Sequence, residues 1–248
     1  MKIATYNLRF GGRSGNRVHW QKLLDSLNSD VLLLQETLTP TEYLTEDRYR
    51  ADRHQIHWTA VDNRPWGSAV YVRQGQIIPL EPLSDSLAGW VVGVKVIDFG
   101  KPVDVGRDLY VYSVHTPSIK SSYIKQVNRI LDGIQAQVSA GADVIVGGDF
   151  NIALGVRHPA EAMQQQHPKV MARFRKELGL MNCWQMANPN KDLPQTLRWG
   201  TDKTKPYHCD GIFAPAKWYP YLESAEVVSG NDWDQLSDHN PVMALFEV

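Results

Sequence analysis

Cysteine is nearly absent: Cys183 and Cys209 are the only two in 248 residues. Two is too few for a disulfide framework, and no Cys-x-x-Cys pair is present to hold zinc. The plain reading is two reduced thiols, with one disulfide as the minority reading. Long apolar runs are missing too, and none reaches the length of a membrane span. The chain opens Met1-Lys2-Ile3-Ala4-Thr5-Tyr6-Asn7, a strand with a polar end rather than a signal peptide, so a cytoplasmic location is expected. Neither sign of charge dominates: 26 Lys and Arg stand against 27 Asp and Glu, a net charge of −1. That argues against a broad basic face for gripping duplex nucleic acid, while leaving room for a local basic groove. No repeat, low-complexity tract or linker divides the chain. One domain over residues 1–248 is expected, and nothing calls for an obligate protein partner.

Aromatic residues are plentiful, with 8 Trp and 10 Tyr, which suits an all-β or α/β core with some rings left to line a site. Lys2–Tyr6 is strand-like. Trp20, Leu23, Leu24 and Leu27 recur at helical spacing, so residues 18–28 are read as a helix. Val31–Gln35 is a continuous apolar run, the pattern of a strand buried on both faces. Residues 37–66 read as loops with a short helix or strand. Gly67–Val72, Trp90–Ile97 and Leu109–His115 read as strands, with Pro79 and Pro82 punctuating the segment before Trp90. Ile124, Val127, Leu131, Ile134 and Val138 form one apolar stripe, so a helix is read over 122–139, with Gly141 at its C-cap. Val144–Gly147 is a short buried strand, and Val170, Met171, Phe174 and Leu178 mark a third helix. Strands follow near 207–213, 225–229 and 242–248. Strands dominate and helices occur singly, so one α+β domain with two packed sheets is the simplest architecture.

Polar residues close many of these apolar runs. Asn7 ends Thr5-Tyr6-Asn7, Glu36 ends Leu32-Leu33-Leu34-Gln35-Glu36, and His115 ends Tyr112-Ser113-Val114-His115. Asp149 and Asn151 lie in Gly147-Gly148-Asp149-Phe150-Asn151, Asp210 follows His208-Cys209, and Asp238 and His239 lie in Ser237-Asp238-His239-Asn240-Pro241. A polar group at a buried strand tip is costly without partners. Here the candidate partners are one another, a metal and a substrate. Converging Glu36, Asp149, Asp210 and Asp238 would repel, and some would be forced to protonate. A hard divalent cation resolves this, and carboxylate oxygens suit magnesium or manganese better than zinc. Asn7 and Asn151 can donate N–H to phosphate oxygen, which a carboxylate cannot. His115 and His239 can donate to a non-bridging oxygen or move a proton. Together they are a kit for metal-assisted hydrolysis of a phosphate ester. Singly, Asn7, Glu36 and Asp210 each also fit an ordinary turn residue.

These motifs resemble the endonuclease/exonuclease/phosphatase superfamily, with deoxyribonuclease I-like proteins among its members. Gly148-Asp149-Phe150-Asn151 and Ser237-Asp238-His239-Asn240-Pro241 carry the likeness most specifically. Asn7, Gln35-Glu36 and Asp210 fall in the right order, and Gly67-Ser68-Ala69-Val70 resembles the family's small-residue strand. The resemblance implies a four-layered α/β sandwich of α+β class, with two mostly antiparallel sheets face to face and helices outside. It implies Glu36 as the main Mg2+ ligand, with Asn7 and Asp238 nearby and Mn2+ as a substitute. It implies Asp149 activating a water, Asn151 and Asn7 holding the scissile phosphate, and His115 facing it. His239 would bond a phosphate oxygen, oriented by Asp210.

The substrate is left open. Arg9 stands where abasic-site endonucleases carry an acid, and His208 where relatives often carry Arg or Lys. Arg9, Arg13 and Arg17 follow the first motif, Arg157 and His158 the Asp149 loop, and Arg198, Trp199, Lys203 and Lys205 precede Asp210. Of these, Arg157 and Trp199 are the leading substrate contacts, since Arg plus Trp can bind phosphate and stack a base. Trp66 and Trp233 flank two motifs. A phosphodiesterase acting on nucleic acid or a nucleotide is the leading reading. A lipid or sugar phosphate hydrolase and a non-catalytic binding module are the alternatives.

Overall fold

The computed structural model describes residues 1–10, 20, 22–100, 107–118, 121–155, 167–198, 207–230 and 233–247. Two parallel strand pairs organise it. β1 (Lys2–Asn7) runs parallel to β2 (Val31–Leu38), pairing Ile3 with Val31 and Asn7 with Gln35. β7 (Leu109–His115) runs parallel to β8 (Asp143–Asp149), pairing Leu109 with Asp143 and His115 with Asp149. A parallel pair needs a crossover. The second pair uses the helix Tyr123–Gln137, and the described part of the first crossover includes Trp20 and a π-helical turn, Leu23–Leu27.

Each pair lies at the centre of a six-stranded sheet, and every other pairing is antiparallel. The first sheet has the order β11-β12-β1-β2-β4-β3. Its remaining strands are β3 (Ile56–Ala60), β4 (Trp66–Val72), β11 (Leu222–Val227) and β12 (Val242–Phe246). The second has the order β5-β6-β7-β8-β10-β9. It adds β5 (Gln76–Pro79), β6 (Val91–Ile97), β9 (Leu180–Asn182) and β10 (Asp210–Pro215).

The sheets face each other across Ile3, Leu33, Val70 and Val72 on one side and Val94, Val111, Ile145 and Ile212 on the other. Outside the first sheet, Leu32, Leu34 and Tyr71 pack under Trp20, Leu23, Leu24 and Leu27. Thus Leu33 serves the inner core and its neighbours the outer one, which is why β2 is apolar without alternation. Outside the second sheet, Tyr110, Tyr112 and Val146 pack against Val127, Ile130, Leu131 and Ile134 of the helix Tyr123–Gln137. The helix Pro168–Leu178 adds Phe174, stacked on Phe213 with ring centroids 3.8 Å apart. The result is the expected four-layered α+β sandwich.

Several element bounds differ from the sequence reading. The helix starting at Ser122, whose hydroxyl accepts the Lys125 N–H, stops at Gln137 rather than Ser139. Val138 is its C-cap, and Gly141, at φ +80°, turns the chain into β8. The region read as residues 18–28 of one α-helix closes as a π-turn at left-handed Asn28. Residues 40–60 hold two short helices and β3, and β5 carries Pro79 at its end. An edge strand tolerates a missing N–H there. β10 begins at Asp210 rather than Tyr207, because Tyr207 bridges to Leu197 instead. β9 has three residues, too short to leave a period.

Candidate active site

Alternation along the strands delivers the polar residues to one end of the inter-sheet core. Asn7 follows Ile3 and Thr5 on the inner face of β1. His115 follows Val111 and Ser113 on β7, Asp149 follows Ile145 and Gly147 on β8, and Asp210 precedes Ile212 on β10. The register places Asp149 beside both His115 and Asp210. Glu36 is the exception. It shares a parity with Leu34, which faces outward. A bulge between Leu34 and Thr37, with Glu36 at φ 52°, re-aims it. Gly148 is required here. Its φ is +148°, and a Cβ would lie 1.8 Å from the Val114 carbonyl oxygen of the paired strand.

A buried polar floor ties the sheets together beneath the site. Gln35 Nε2 donates to Ser113 Oγ at 2.9 Å and to Thr5 Oγ1 at 3.2 Å. Ser113 Oγ donates to the Leu34 carbonyl at 2.9 Å, and Thr5 Oγ1 to that of Leu33 at 3.0 Å. Sequence reading missed this floor. The signal was polar residues at inward positions of apolar strands.

Above the floor, the Asn7 amide bridges the two sheets. Its Nδ2 donates to Glu36 Oε1 and to Asp149 Oδ2, each at 3.1 Å. Its Oδ1 accepts the Arg9 N–H at 2.9 Å. Asn7 thus spends both amide hydrogens on carboxylates in this arrangement, where the resemblance led us to expect phosphate. Glu36 Oε2 accepts the Phe10 N–H at 2.8 Å. Asp149 Oδ1 accepts the Asn151 N–H at 2.9 Å. The Asn151 side chain donates to Asp149 Oδ2 at 3.4 Å and to the Thr116 carbonyl at 3.1 Å.

Two histidines flank Asp149. His115 Nε2 is 3.9 Å from Asp149 Oδ2 and 3.5 Å from Glu36 Oε1. His239 Nε2 is 3.9 Å from the same Asp149 oxygen, and its Nδ1 is 3.0 Å from both oxygens of Asp210. Burial pushes the Asp149 carboxyl above its ordinary pKa, and the Asp210 charge adds to this against the two histidines. Burial alone would lower His239. The charge and hydrogen bond of Asp210, with Asp149 and Asp238, outweigh it and raise its pKa to about 10. These neighbours favour the protonated form of His239, which Asp210 orients through Nδ1.

The loop carrying His239 is strapped in place. Ser237 Oγ donates to the Asn7 carbonyl at 2.7 Å and accepts the His239 N–H at 3.1 Å. The Arg198 N–H donates to the Asp238 carbonyl at 2.8 Å. The Arg198 guanidinium donates to Asn240 Oδ1 and to the carbonyls of Ser237 and His239, and pairs with Asp234 at 3.2 Å. Arg198 is 7% exposed, so it is a buried brace and not a loop contact for substrate. Trp233 is also buried, edge-on to Tyr6 at 5.5 Å with Lys22 Nζ 4.5 Å from its ring, and it packs behind β1. Trp66 is buried against Trp90 at 5.3 Å, and Trp90 lies 4.9 Å from the His115 ring. Trp90 was not foreseen as a neighbour of the site. Its place came from the strand order alone. Arg157 and Trp199 lie outside the described residues, as do Arg13, Arg17, His158, Lys203 and Lys205.

Asp238 tests whether a hard cation fits. Its Oδ2 pairs with Arg9 at 3.0 Å, while its Oδ1 is buried with no hydrogen-bond partner among the described residues. An orphaned carboxylate oxygen on the residue next to His239 suits a divalent cation with oxygen ligands. Cys209, Asp210 and His239 also place ligand atoms within 4.8 Å of one another. That group suits a metal less well. Burial and the neighbouring carboxylates hold the Cys209 thiol protonated, and Asp210 is engaged by His239.

The fold and the site together define a class, the phosphoester hydrolases of nuclease and phosphodiesterase type. The chain belongs to the Endonuclease/Exonuclease/phosphatase family, whose sequence model matches residues 4–239. That family is generally divalent-metal dependent. No curated protein sequence matches the chain closely enough to count as a relative. Solved structures share the fold. An AP endonuclease from Archaeoglobus fulgidus aligns with a TM-score of 0.69 at 18% identity, covering 100% of both chains. The 3'-5' exonuclease NExo from Neisseria meningitidis gives 0.68 at 19% identity, again over 100% of both. The catalytic domain of Xenopus laevis APE2 gives 0.70 at 17% identity, covering 99% of this chain and 91% of that one. At these identities the likeness establishes the fold. No described helix is long and apolar enough to cross a membrane.

Proposed function

We propose that the protein is a Mg2+-dependent phosphodiesterase acting on nucleic acid or nucleotides, with Mn2+ as a working substitute. One observation carries this reading. Asp149 Oδ2 accepts the Asn7 amide from the opposite sheet and has the Nε2 atoms of His115 and His239 each 3.9 Å away. A carboxylate with a raised pKa between two imidazoles is equipped to take a proton from water. Asp149 is the base. His239, charged and fixed by Asp210, donates Nε2–H to a non-bridging phosphate oxygen and offsets the charge that grows there. His115 Nε2, 3.9 Å from Asp149 Oδ2, is placed to take the proton that Asp149 draws from water and pass it to the leaving oxygen. Asn151 sets the Asp149 rotamer, and Asn7 couples Asp149 to Glu36. Glu36 and Asp238, with Asn7, would hold the cation. When bound, it polarises the phosphate and neutralises charge on it.

Similar structures support the nucleic-acid half of the reading: an AP endonuclease, a 3'-5' exonuclease, and a NExo 3' phosphatase bound to product DNA hairpin. The balanced charge of 26 cationic against 27 anionic residues favours a second reading, a small phosphorylated metabolite. Salt separates the two, since gripping a polynucleotide releases counterions and a small ester does not.

The test is hydrolysis of bis(p-nitrophenyl) phosphate and p-nitrophenyl phosphate with Mg2+, Mn2+ and EDTA. Diester cleavage should require metal, and Asp149→Asn should lower kcat by roughly a thousandfold or more. The Asp149→Asn protein should keep its fold, read by circular dichroism, so that the loss reports on chemistry. Metal-independent cleavage, or an Asp149→Asn protein with near-normal kcat, overturns the proposal.

A further inference from the structure

Four large apolar side chains are exposed among the described residues, and Phe10, at 62%, is the most exposed. Ile78 lies on edge strand β5, and Tyr219 and Tyr221 on the turn Ala216–Tyr221. Phe10 is the one at the active site, and it does not hang loosely there. Three successive N–H groups pin its backbone: Leu8 to the Gln35 carbonyl at 2.9 Å, Arg9 to Asn7 Oδ1 at 2.9 Å, and Phe10 itself to Glu36 Oε2 at 2.8 Å. The pinning forces Arg9 to φ 48° and Phe10 to φ 53°, a region that bulky residues rarely enter. A strained backbone therefore holds a large ring out in water, fixed to the carboxylate proposed to hold the cation.

The ring has a wall behind it. Its centroid is 5.8 Å from Trp66, which is edge-on to Trp90 at 5.3 Å, which in turn lies 4.9 Å from His115. Trp66 is buried and Trp90 half-buried, so Phe10 is the open end of an aromatic series that starts beside the reacting groups. An exposed ring separated from His115 by one Trp ring, with successive centroids 5.8 and 5.9 Å apart, fits a nucleobase, whose flat face stacks on aromatics whatever its sequence. A base inside a duplex has no free face to offer. The absence of any excess of cationic residues points the same way, since a duplex is gripped largely by its phosphates.

We propose that Phe10 is the stacking platform for the unpaired nucleobase next to the scissile phosphate, and that it makes the enzyme selective for single-stranded or terminal nucleotides. This rests on the phosphodiesterase reading above. The test compares two esters with one leaving group: the p-nitrophenyl ester of thymidine 5'-monophosphate, and methyl p-nitrophenyl phosphate, which has no base. Phe10→Ala should reduce the ratio of kcat/KM for the thymidine ester over the methyl ester about tenfold, equal to about 1.4 kcal/mol, through KM. Phe10→Trp should restore the ratio. A fluorescent oligothymidylate should bind the Asp149→Asn protein about tenfold more tightly than it binds the Asp149→Asn, Phe10→Ala protein, with no such gap for duplex DNA. An equal loss on both esters would show that Phe10 serves only to hold Glu36, and an unchanged ratio would show that no base touches it. Either overturns the platform while leaving the hydrolase intact. If the wild-type protein cleaves neither ester with metal present, the phosphodiesterase reading falls, and the platform with it.

Discussion

The tips of β1 and β2 and the tips of β7 and β8 sit at the same end of the sandwich, each on a parallel pair at the centre of a six-stranded sheet. They place their functional groups by different means. In the second sheet the ladder is regular to its last residue: Asp149 pairs with His115 on one side and Asp210 on the other, and alternation alone points all three inward. In the first sheet the ladder breaks. Glu36 reaches the site through a bulge and a left-handed backbone, and Arg9 and Phe10 are left-handed as well. The regular half is closed over by neighbours, with Asp149 2% exposed, while the broken half ends in Phe10 at 62%. Proton-transfer groups need fixed, dry positions, which strand register supplies. Cation and substrate need an approach, which a bulge opens.

The comparison can be broken at its most rigid point first. Gly148→Ala puts a Cβ 1.8 Å from the Val114 carbonyl oxygen at φ +148°. Stability should fall by about 3 kcal/mol or more, measured by urea denaturation. A loss under 1 kcal/mol would mean that the regular half is not held by its register. Next comes the broken half. Glu36→Gln should cut activity at low Mg2+ by about a hundredfold, with part of the loss recovered as Mg2+ or Mn2+ is raised. Asp149→Asn should not recover. Equal indifference to metal in both variants would erase the proposed division of labour.

The smallest effect is on pH dependence. The folded-state pKa of His239 is raised from 6.5 to about 10, so folding favours its protonated form. That contribution is complete below about pH 6.5 and is lost as pH rises through about 10. In EDTA, the wild-type protein should lose stability from pH 7 to 10. Asp210→Asn, which removes the main group raising the His239 pKa, should flatten that slope. Parallel slopes in the two proteins would detach His239 from Asp210.

The parts of the site legible in sequence were polar residues closing apolar runs and short local motifs, even where, as at Glu36, alternation does not aim the side chain. Val31-Leu32-Leu33-Leu34 announced a central strand, and Gly147-Gly148-Asp149 announced a close approach with an acid beyond it. What resisted reading depended on partners distant in sequence. Arg198 has the chemistry of a surface loop contact, and it is a brace because Ser237, His239 and Asn240 present oxygens to it. Trp233 looks like a site aromatic and packs behind Tyr6. Phe10 carries no periodic signal, and its meaning comes from three backbone hydrogen bonds and Trp66.

Sequence by itself determined the class of strands and helices, the family, and the order of the polar tips, because periodicity and short motifs are local properties of a chain. Tertiary structure decided which groups touch. It put Asn7 between Glu36 and Asp149, His239 between Asp210 and Asp149, and Asp238 against Arg9. The physical reason is that pairing energies and pKa shifts depend on distances between residues far apart in sequence. Only the packing of one sheet on the other sets those distances.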